Sequence, residues 1–433
     1  MADNENQRIM GENGNNMDSN NTNSGIPKLR FPGFTGKWEE LPLSHFLFEH
    51  KTKSDGKCEV HSVSVAKGVV NQAAYLGRSY AAADTSKYNL AKPNDIIYTK
   101  SPTGAFPYGI VKQNKNPYNV IVSPLYAVYS PINKYIGYII DSYFESPVTA
   151  NNYLSSLVQK GAKNTIQISN DTFVSKTVCL PTNPAEQQKI AECLSEIDKL
   201  IAAQGQKVDA LKEKKKGLMQ QMFPQKGETV PRLRFPGFTG DWTEKKLREV
   251  FSRITRKNSE NNKNVLTISA QYGLINQLDF FKKSVSAIDL TGYYLLHKGE
   301  LAYNKSSSQG RPVGAIKPLK LYDKGVVSTL YMCFKCKDSR EIGFWEQYFD
   351  AGILDKEIAS IAQEGARNHG LLNISTRGFF ELSVIVPTLP EQRKIASCLS
   401  ALDDTIAAES DKLEVLKNHK KGLMQQLFPQ PTK

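Results

Sequence analysis

Few residues in this sequence have the types and spacing that catalysis needs. There is no G-x-x-x-x-G-K-[ST] phosphate-binding loop, which argues against ATP-driven work. Asn183-Pro184-Ala185-Glu186 comes nearest to an amino-methyltransferase motif, but it lacks the aromatic residue that would hold an extruded base. The acidic pairs Glu39-Glu40 and Asp403-Asp404 have no lysine in nuclease-like order, and the six histidines show no ligand spacing. These patterns favour a binding protein over an enzyme.

The cysteines predict neither a disulfide framework nor a metal site. Six cysteines are too few to hold together a chain of 433 residues. Cys333 and Cys336 form a lone C-x-x-C in a stretch typical of a β-strand, where residues three apart face opposite sides. No second pair or neighbouring histidine completes a tetrahedral zinc site, so we expect no bound metal.

The net charge of +13 is unevenly distributed. Residues 27–180 and 231–386 each carry +7, whereas 186–225 and 391–430 carry +1 and 0, and the tail 1–26 carries −3. Two equally basic lobes suit a polyanion with a repeating groove. A generally basic, solvated surface is the alternative.

No apolar run reaches the length of a transmembrane helix and no signal pattern is present, so we expect a soluble, cytoplasmic protein.

The segment 186–225 recurs as 391–430 with 25 of 40 positions identical. Apolar residues alternate in steps of three and four in each copy, which predicts two coiled-coil helices of roughly 55 Å. Gln204, Glu409, Lys215 and Lys420 interrupt the apolar seam at matched places and are expected to specify the pairing. The predicted seam residues are Ile190, Leu194, Ile197, Ile201, Val208, Leu211, Leu218 and Met222 with Ile395, Leu399, Leu402, Ile406, Leu413, Leu416, Leu423 and Leu427.

Both helix ends carry sequence signals. Asn183 is a predicted N-cap with Glu186 reciprocating as in a capping box, and Thr388 with Glu391 repeats the pattern. Proline at 224 and 429 is expected to end each helix. Glycine at 217 and 422 indicates either close backbone approach or a local kink.

A second repeat, called the lead-in, occurs at the start of each lobe. Its first copy is PKLRFPGFTGKWEELPL (27–43), and its second copy is PRLRFPGFTGDWTEKKL (231–247). Alternating Val, Ile and Tyr runs predict short strands, and segments near 141–160 and 341–364 are predicted helices. The expected fold class is therefore α/β in the sense of mixed α and β. The predicted domains are a disordered tail 1–24, lobe 1 at 25–180, helix 1 at 181–225, lobe 2 at 226–386 and helix 2 at 387–430.

With the lead-in LRFPGF…W, two variable lobes and two EQ-x-KI…KKGLMQQ-x-FPQ helices, residues 25–430 resemble the specificity subunit of type I DNA restriction-modification systems. The resemblance implies two target-recognition domains joined by two antiparallel helices, a pseudo-two-fold internal repeat and no catalysis by this chain. It also implies double-stranded DNA and two modification subunits as partners, with restriction subunits in the full complex. The modification subunits would use S-adenosylmethionine to methylate adenine.

Base recognition requires hydrogen-bonding side chains on loops, with Lys and Arg on phosphates. The matched loops 100–109 and 305–314 are basic, hydroxyl-rich and glycine-bearing, and a second matched pair lies near 62–67 and 267–271. An ordinary solvated turn is the alternative for any single residue. The candidates are Lys100, Ser101, Thr103, Tyr108, Lys305, Ser306, Ser308, Gln309, Arg311, Ser62, Ser64, Lys67, Thr267, Ser269 and Gln271.

By the same resemblance, the repeated lead-ins would bind the modification subunits, and internal packing against the helix ends is the alternative. The aromatic candidates are Phe31, Phe34, Trp38, Phe235, Phe238 and Trp242. Two other functions stay open: a free-standing two-domain DNA-binding regulator, which would bind its site tightly alone, and a self-sufficient methyltransferase or nuclease, which would act on DNA alone.

Overall fold

A computed structural model describes residues 25–160, 166–269, 273–281, 289–307, 310–338, 342–364, 370 and 372–429. Backbone contacts divide the chain into unit 1, residues 1–203 with 413–433, and unit 2, residues 204–412. Each unit contains one predicted lobe and part of both long helices. The unit boundaries therefore cross the helices and do not coincide with the linear boundaries expected from the sequence.

Unit 1 is built from short strands and helices around one four-stranded antiparallel sheet in the order β2-β9-β6-β7. Its strands are β1 Glu40–Pro42, β2 Leu47–Glu49, β3 His61–Ser64, β4 Gly68–Asn71, β5 Asn89–Ala91, β6 Ile96–Tyr98, β7 Val111–Gln113, β8 Val120–Val122, β9 Ala127–Pro131, β10 Gln159–Lys160, β11 Ile166–Gln167 and β12 Thr177–Cys179. Its helices are α1 Gln72–Leu76, α2 Lys134–Glu145, α3 Pro147–Ser155, α4 Asn170–Ser175 and the first part of α5 Pro184–Met222, with a 3-10 turn at Leu43–His45.

Unit 2 repeats this arrangement with a sheet in the order β14-β21-β18-β19. Its strands are β13 Thr243–Lys246, β14 Phe251–Ile254, β15 Leu266–Ser269, β16 Gly273–Asn276, β17 Tyr294–His297, β18 Leu301–Asn304, β19 Ala315–Pro318, β20 Lys324–Val327, β21 Met332–Cys336, β22 Gln363–Glu364, β23 Leu372–Asn373 and β24 Ser383–Val386. Its helices are α6 Leu247–Val250, α7 Gln277–Phe281, α8 Ile342–Asp350, α9 Asp355–Ile361, α10 Thr376–Phe380 and most of α11 Leu389–Leu427. The expected mixed α and β class is confirmed.

A buried tyrosine at the end of the third sheet strand anchors each lobe core. Tyr98 stacks on Phe173 with ring centroids 4.4 Å apart, and Tyr303 stacks on Phe379 at 5.4 Å. Offset aromatic stacking adds to the area that the rings bury. The same core position is thus filled in the same way in both units.

The two long helices pair within each unit. In unit 1, Ile190 and Leu194 near the start of α5 share a core with Leu427 at the end of α11. In unit 2, Met222 at the end of α5 shares a core with Ile395 near the start of α11. The predicted antiparallel pairing is therefore confirmed inside each unit, and every predicted seam residue is buried or half-buried.

The polar interruptions of the seam make specific pairs. Gln204 Nε2 donates to Glu409 Oε2 at 2.7 Å in unit 2. Lys215 Nζ contacts Asp403 at 2.5 Å in unit 2, and the equivalent Lys420 contacts Asp198 at 2.7 Å in unit 1. Burial alone would lower the pKa of Lys420, but carboxylates including Asp198 outweigh it and raise that pKa. The prediction that these residues specify the pairing agrees with this geometry.

Two predictions about the helices need correction. Asn183 Oδ1 does accept from Ala185 N at 2.9 Å as an N-cap, but the Glu186 carboxylate bonds Arg30 instead of closing a capping box. The glycines at 217 and 422 lie in continuous helix, and a Cβ added at either would meet no atom within 4 Å. Close backbone approach is therefore wrong for both positions within the described residues.

The C-x-x-C lies on β21, as expected. Cys333 belongs to one hydrophobic core and Cys336 to another, which places the two thiols on opposite faces of the sheet. Burial raises the pKa of the Cys333 thiol to about 12. In the described part of the chain no cluster of three or more His, Cys, Asp or Glu side chains could hold a metal, and no helix there is long and apolar enough to cross a membrane.

Replacing Leu194 or its repeat equivalent Leu399 by alanine should destabilise the protein by about 2–5 kcal/mol, because each side chain is fully buried where the helix meets its lobe. Leu200→Ala on the same helix but outside the seam is the control, since that side chain is exposed and should change stability by about 0.5 kcal/mol or less. Urea unfolding followed by circular dichroism measures both. Equal losses of stability in Leu194→Ala and Leu200→Ala would contradict the assignment of Leu194 to the buried seam.

Glu409→Gln should reduce the decrease in the free energy of unfolding that occurs when the pH is lowered. Hydrogen bonds from Gln204, Lys412 and Lys207 lower the pKa of Glu409 to about 2. Because this folded-state pKa lies below the unfolded value, the contribution is complete above about pH 4.5 and disappears as the pH falls toward 2. Thermal unfolding of wild type and variant between pH 6 and pH 3 checks this. Glu414→Gln, an exposed control on the same helix, should keep the wild-type acid dependence.

Candidate nucleic-acid interface

The matched loops 100–109 and 305–314 each leave the end of a central strand and close at a glycine. Gly109 and Gly314 have φ of 103° and 87°, a region that side chains with a Cβ rarely adopt. A Cβ at Gly109 would fall 1.8 Å from Thr99 O, and one at Gly314 would fall 2.0 Å from Asn304 O. Both loops are therefore fixed at their base, and in loop 100–109 this positions the side chains near the tip.

In unit 1 the first candidate set is largely accessible. Lys100, Ser101 and Thr103 are exposed, whereas Tyr108 is half-buried and packs against the core. Backbone hydrogen bonds between Thr103 and Phe106 tighten the loop, and the buried Phe106 ring anchors it. Exposed polar side chains on a rigid loop are what base or phosphate contacts require.

In unit 2 the corresponding side chains are less accessible, and one of them forms an ion pair within the lobe. Lys305 and Ser306 are half-buried, and Arg311 forms an ion pair with Asp350 at 3.1 Å. Ser308 and Gln309 lie outside the described residues. Arg311 would have to leave Asp350, or share it, in order to bind a phosphate.

The second candidate set fits the structure less well. Ser64, Thr267 and Ser269 are buried, and Ser64 Oγ lies 3.2 Å from Tyr75 OH. A buried hydroxyl presents little surface to a groove, so the predicted base contact does not agree with the structure for these three residues.

The rest of that set lies at accessible or undescribed positions. Ser62 is half-buried and its Oγ accepts a hydrogen bond from Gln72 Nε2 at 3.0 Å. Lys67 is exposed between strands β3 and β4. Gln271 lies outside the described residues. Lys67 therefore remains the accessible candidate of this set in the part of lobe 1 that the structure describes.

A basic cleft of about 520 Å³ opens beside Lys100 and Ser101 in unit 1. Lys51 and Lys53 also line it, and Lys53 Nζ donates to Asn89 Oδ1 at 2.6 Å. One carboxylate, Glu49, lines the cleft and accepts from Asn170 Nδ2 at 2.7 Å. Partial burial lowers the pKa of Lys100, which Glu49 partly offsets. The cleft thus has three lysines and one carboxylate, which is already hydrogen-bonded to Asn170, so its charge favours binding of an anion.

Sequence reasoning missed Lys51 and Lys53. Their alternate spacing directly after a strand end was the available signal, since residues i and i+2 of an extended segment share a side. Lys100 and Leu125 come from distant parts of the sequence, so only the fold brings them to the same cleft.

The lead-ins link the starts and ends of the long helices within each unit. Arg30 donates to both Glu186 oxygens at 2.7 and 2.9 Å, and Arg234 binds Glu391 at 2.7 and 2.8 Å. Bidentate Arg–carboxylate pairs that are this buried fix geometry strongly. In unit 1 Leu29 N also donates to Gln426 O at 3.0 Å, so the lead-in spans the start of α5 and the end of α11.

The predicted partner-binding aromatics divide into two groups. Trp38 and Trp242 are buried, and Trp38 Nε1 donates to Glu186 Oε2 at 3.2 Å, so internal packing accounts for both indoles. Phe31, Phe34, Phe235 and Phe238 are half-buried and keep part of their surface accessible.

A matched apolar feature that sequence reasoning missed lies a few residues before these phenylalanines in each copy. Ile26 and Leu29 in unit 1, and their equivalents Val230 and Leu233 in unit 2, are all exposed. The repeat itself was the signal, because both copies carry large aliphatic residues at these positions.

The chain matches the family model described as "Type I restriction modification DNA specificity domain" twice, over residues 53–213 and 239–418. The chain belongs to this family. The two matches cover both lobes and much of both long helices, in agreement with the resemblance found in the sequence.

Two relatives illustrate the similarity. The chain is 26% identical over 285 residues to the type I restriction enzyme MjaVIII specificity subunit of Methanocaldococcus jannaschii, an alignment that covers 60% of this chain and 63% of that protein. It is also similar to the crystal structure of a type-I restriction-modification system S subunit from M. genitalium, with a TM-score of 0.55 and 13% identity over 94% of this chain and 100% of the other. The second likeness confirms the fold.

Replacing Lys51, Lys53 and Lys100 together by alanine should weaken binding of duplex DNA and reduce its salt dependence. Each lost phosphate contact removes about 0.9 from the slope of log affinity against log salt concentration, so three contacts predict a decrease of about 2.7. Fluorescence anisotropy with the full chain at several salt concentrations gives the slope. A triple variant of the exposed helix lysines 199, 212 and 214 is the control, and an equal decrease there would refute a special role of the cleft.

Proposed function

We propose that this chain is the DNA-recognition subunit of a type I restriction-modification complex. Each lobe reads one half of an asymmetric bipartite site in double-stranded DNA, and the paired helices set the spacing between the halves. The family match over both lobes carries this proposal. The basic cleft of unit 1 and the charge of +7 on each lobe support DNA as the ligand.

The differences between the two copies support an asymmetric target. The helices are identical at 25 of 40 positions, whereas the loops 100–109 and 305–314 differ at most of theirs. Equal scaffolds with unequal contact loops would present different hydrogen-bonding groups to the two half-sites.

The lead-ins support two copies of the same protein partner. Phe34 and the exposed Ile26 and Leu29 recur as Phe238, Val230 and Leu233, so each unit carries the same set of accessible apolar side chains. Two modification subunits would dock there and supply adenine methylation with S-adenosylmethionine, while this chain supplies recognition and no catalysis. Restriction subunits would join in the full complex, and the complex would act in the cytoplasm.

Exchanging residues 44–180 for the corresponding lobe of another family member should change one half of the methylated sequence and leave the other half and the spacing unchanged. Sequencing that maps methylated adenines genome-wide, in cells with the wild-type or the exchanged chain and the modification subunit, measures this. The reciprocal exchange of the second lobe is the matched control. A change in both halves would contradict recognition by separate lobes.

Assays of the purified chain alone test the two alternative functions, a free-standing regulator and a self-sufficient enzyme. A free-standing regulator would bind its site tightly without the modification subunit. A self-sufficient methyltransferase would transfer methyl groups from S-adenosylmethionine to DNA when purified alone. We expect neither result.

A further inference from the structure

Both lobes contain the same tight turn with a leucine at its tip. The turn is Ser123–Tyr126 in unit 1 and Ser328–Tyr331 in unit 2. In each, the tyrosine N donates to the serine O at 3.0 Å and the leucine N donates to the serine Oγ at 3.3 Å. The hydrogen bonds hold the two turns in one shape although the lobe loops around them differ.

The leucines on these turns are exposed. Leu125 is 74% accessible, the highest value among the large hydrophobic side chains of the described residues, and Leu330 is 57% accessible. The following tyrosines are half-buried and pack against the lobe cores. Each turn thus has an anchored base and an apolar tip, which is unfavourable in water unless something covers it.

The sheet register brings a lysine to each leucine. Tyr98 pairs with Ala127 on neighbouring antiparallel strands, so Lys100 and Leu125 leave the sheet at the same end, and both line the basic cleft. In unit 2 Tyr303 pairs with Met332, which places Lys305 and Leu330 at the corresponding end. An exposed leucine therefore stands beside a lysine in both lobes.

We propose that Leu125 and Leu330 are apolar wedges that pack against a base step of the DNA, one in each half-site, while the adjacent lysines contact flanking phosphates. The proposal rests on the proposed function and assigns residues to it. Aliphatic side chains between base steps are a known means of partly unstacking and bending a duplex. Such a contact is independent of sequence, which explains why both lobes retain it while their other loops differ.

Charge selects DNA over a protein as the occupant. In unit 1 the leucine lines a cleft that also contains Lys51, Lys53 and Lys100 against the single carboxylate of Glu49. The apolar surface of the lead-ins, in contrast, is the feature that suits a protein partner. The two turns can therefore be tested separately from assembly.

The test uses the complex of the full chain with its modification subunits and a set of duplexes containing the target, each with 2-aminopurine at a different position. The fluorescence of 2-aminopurine rises where a base loses its stacking. In wild type we expect one responsive step in each half-site. Leu125→Ala should abolish the response in the half read by lobe 1, and Leu330→Ala in the other half. Each should weaken DNA binding about tenfold, since the leucine no longer leaves water.

Val148→Ala and Leu321→Ala are the controls, because both side chains are exposed in the same units and neither belongs to a turn. They should leave both responses unchanged. Persistence of the response in Leu125→Ala and Leu330→Ala, or its absence in a wild-type complex that binds its target specifically, would overturn the wedge. Loss of assembly with the modification subunit, measured by native mass spectrometry, would also overturn it by making the turn a protein contact. A wild-type complex without sequence preference would instead refute the proposed function.

Discussion

The register of the long helices is set by two matched seam lysines, Lys420, which is buried, and Lys215, which is half-buried. Lys420 in unit 1 and Lys215 in unit 2 occupy equivalent seam positions, and each is neutralised by the equivalent aspartate, Asp198 or Asp403, of the other helix. A shift of one heptad would leave both ammonium groups without these partners in a largely apolar seam, which costs far more than a lost hydrophobic contact. Lys420 also contacts Glu145 at the end of α2, so the same charge ties the helix seam to lobe 1.

The lead-ins extend this constraint to the ends of the helices. Each arginine–glutamate pair joins a lead-in to the start of one long helix, while a backbone hydrogen bond joins it to the end of the other, Gln426 in unit 1 and Gln221 in unit 2. Arg30 and Arg234 each also donate to a glycine carbonyl of their own lead-in, which orders the FPGF turn. The lead-ins and the long helices, which are the most similar parts of the two copies, thus contact one another within each unit.

The sequence predicted the features that arise from local periodicity. The helices, their seam, the proline stops and the opposite facing of Cys333 and Cys336 all follow from spacing along one element. The capping-box role of Glu186 failed because Arg30, 156 residues away, competes for the carboxylate. The burial of Ser64 and the cleft position of Lys51 depend on packing between distant strands. Such contacts leave no periodic signal.

The comparison of the two lobes shows how one scaffold supports two different contact surfaces. The isolated bridge from Lys53 to Asn89 in lobe 1 has its counterpart in Lys257 and Tyr294 in lobe 2. Both lysines donate to the equivalent carbonyl, Lys53 Nζ to Lys87 O at 3.3 Å and Lys257 Nζ to Gly292 O at 2.8 Å. Lys53 Nζ also donates to Asn89 Oδ1 beside the open cleft, whereas Lys257 Nζ lies 4.4 Å from the ring centre of Tyr294, which replaces Asn89.

The same register fixes which neighbouring positions are equivalent. It places Thr255 at the position of Lys51, and Arg253 at that of Glu49. The backbone pairing is retained while the charges beside it are rearranged. The lysine–leucine arrangement at the end of each central sheet is common to both surfaces. The wedge proposal explains this, because a contact made with every DNA sequence has no reason to change when the recognised sequence does.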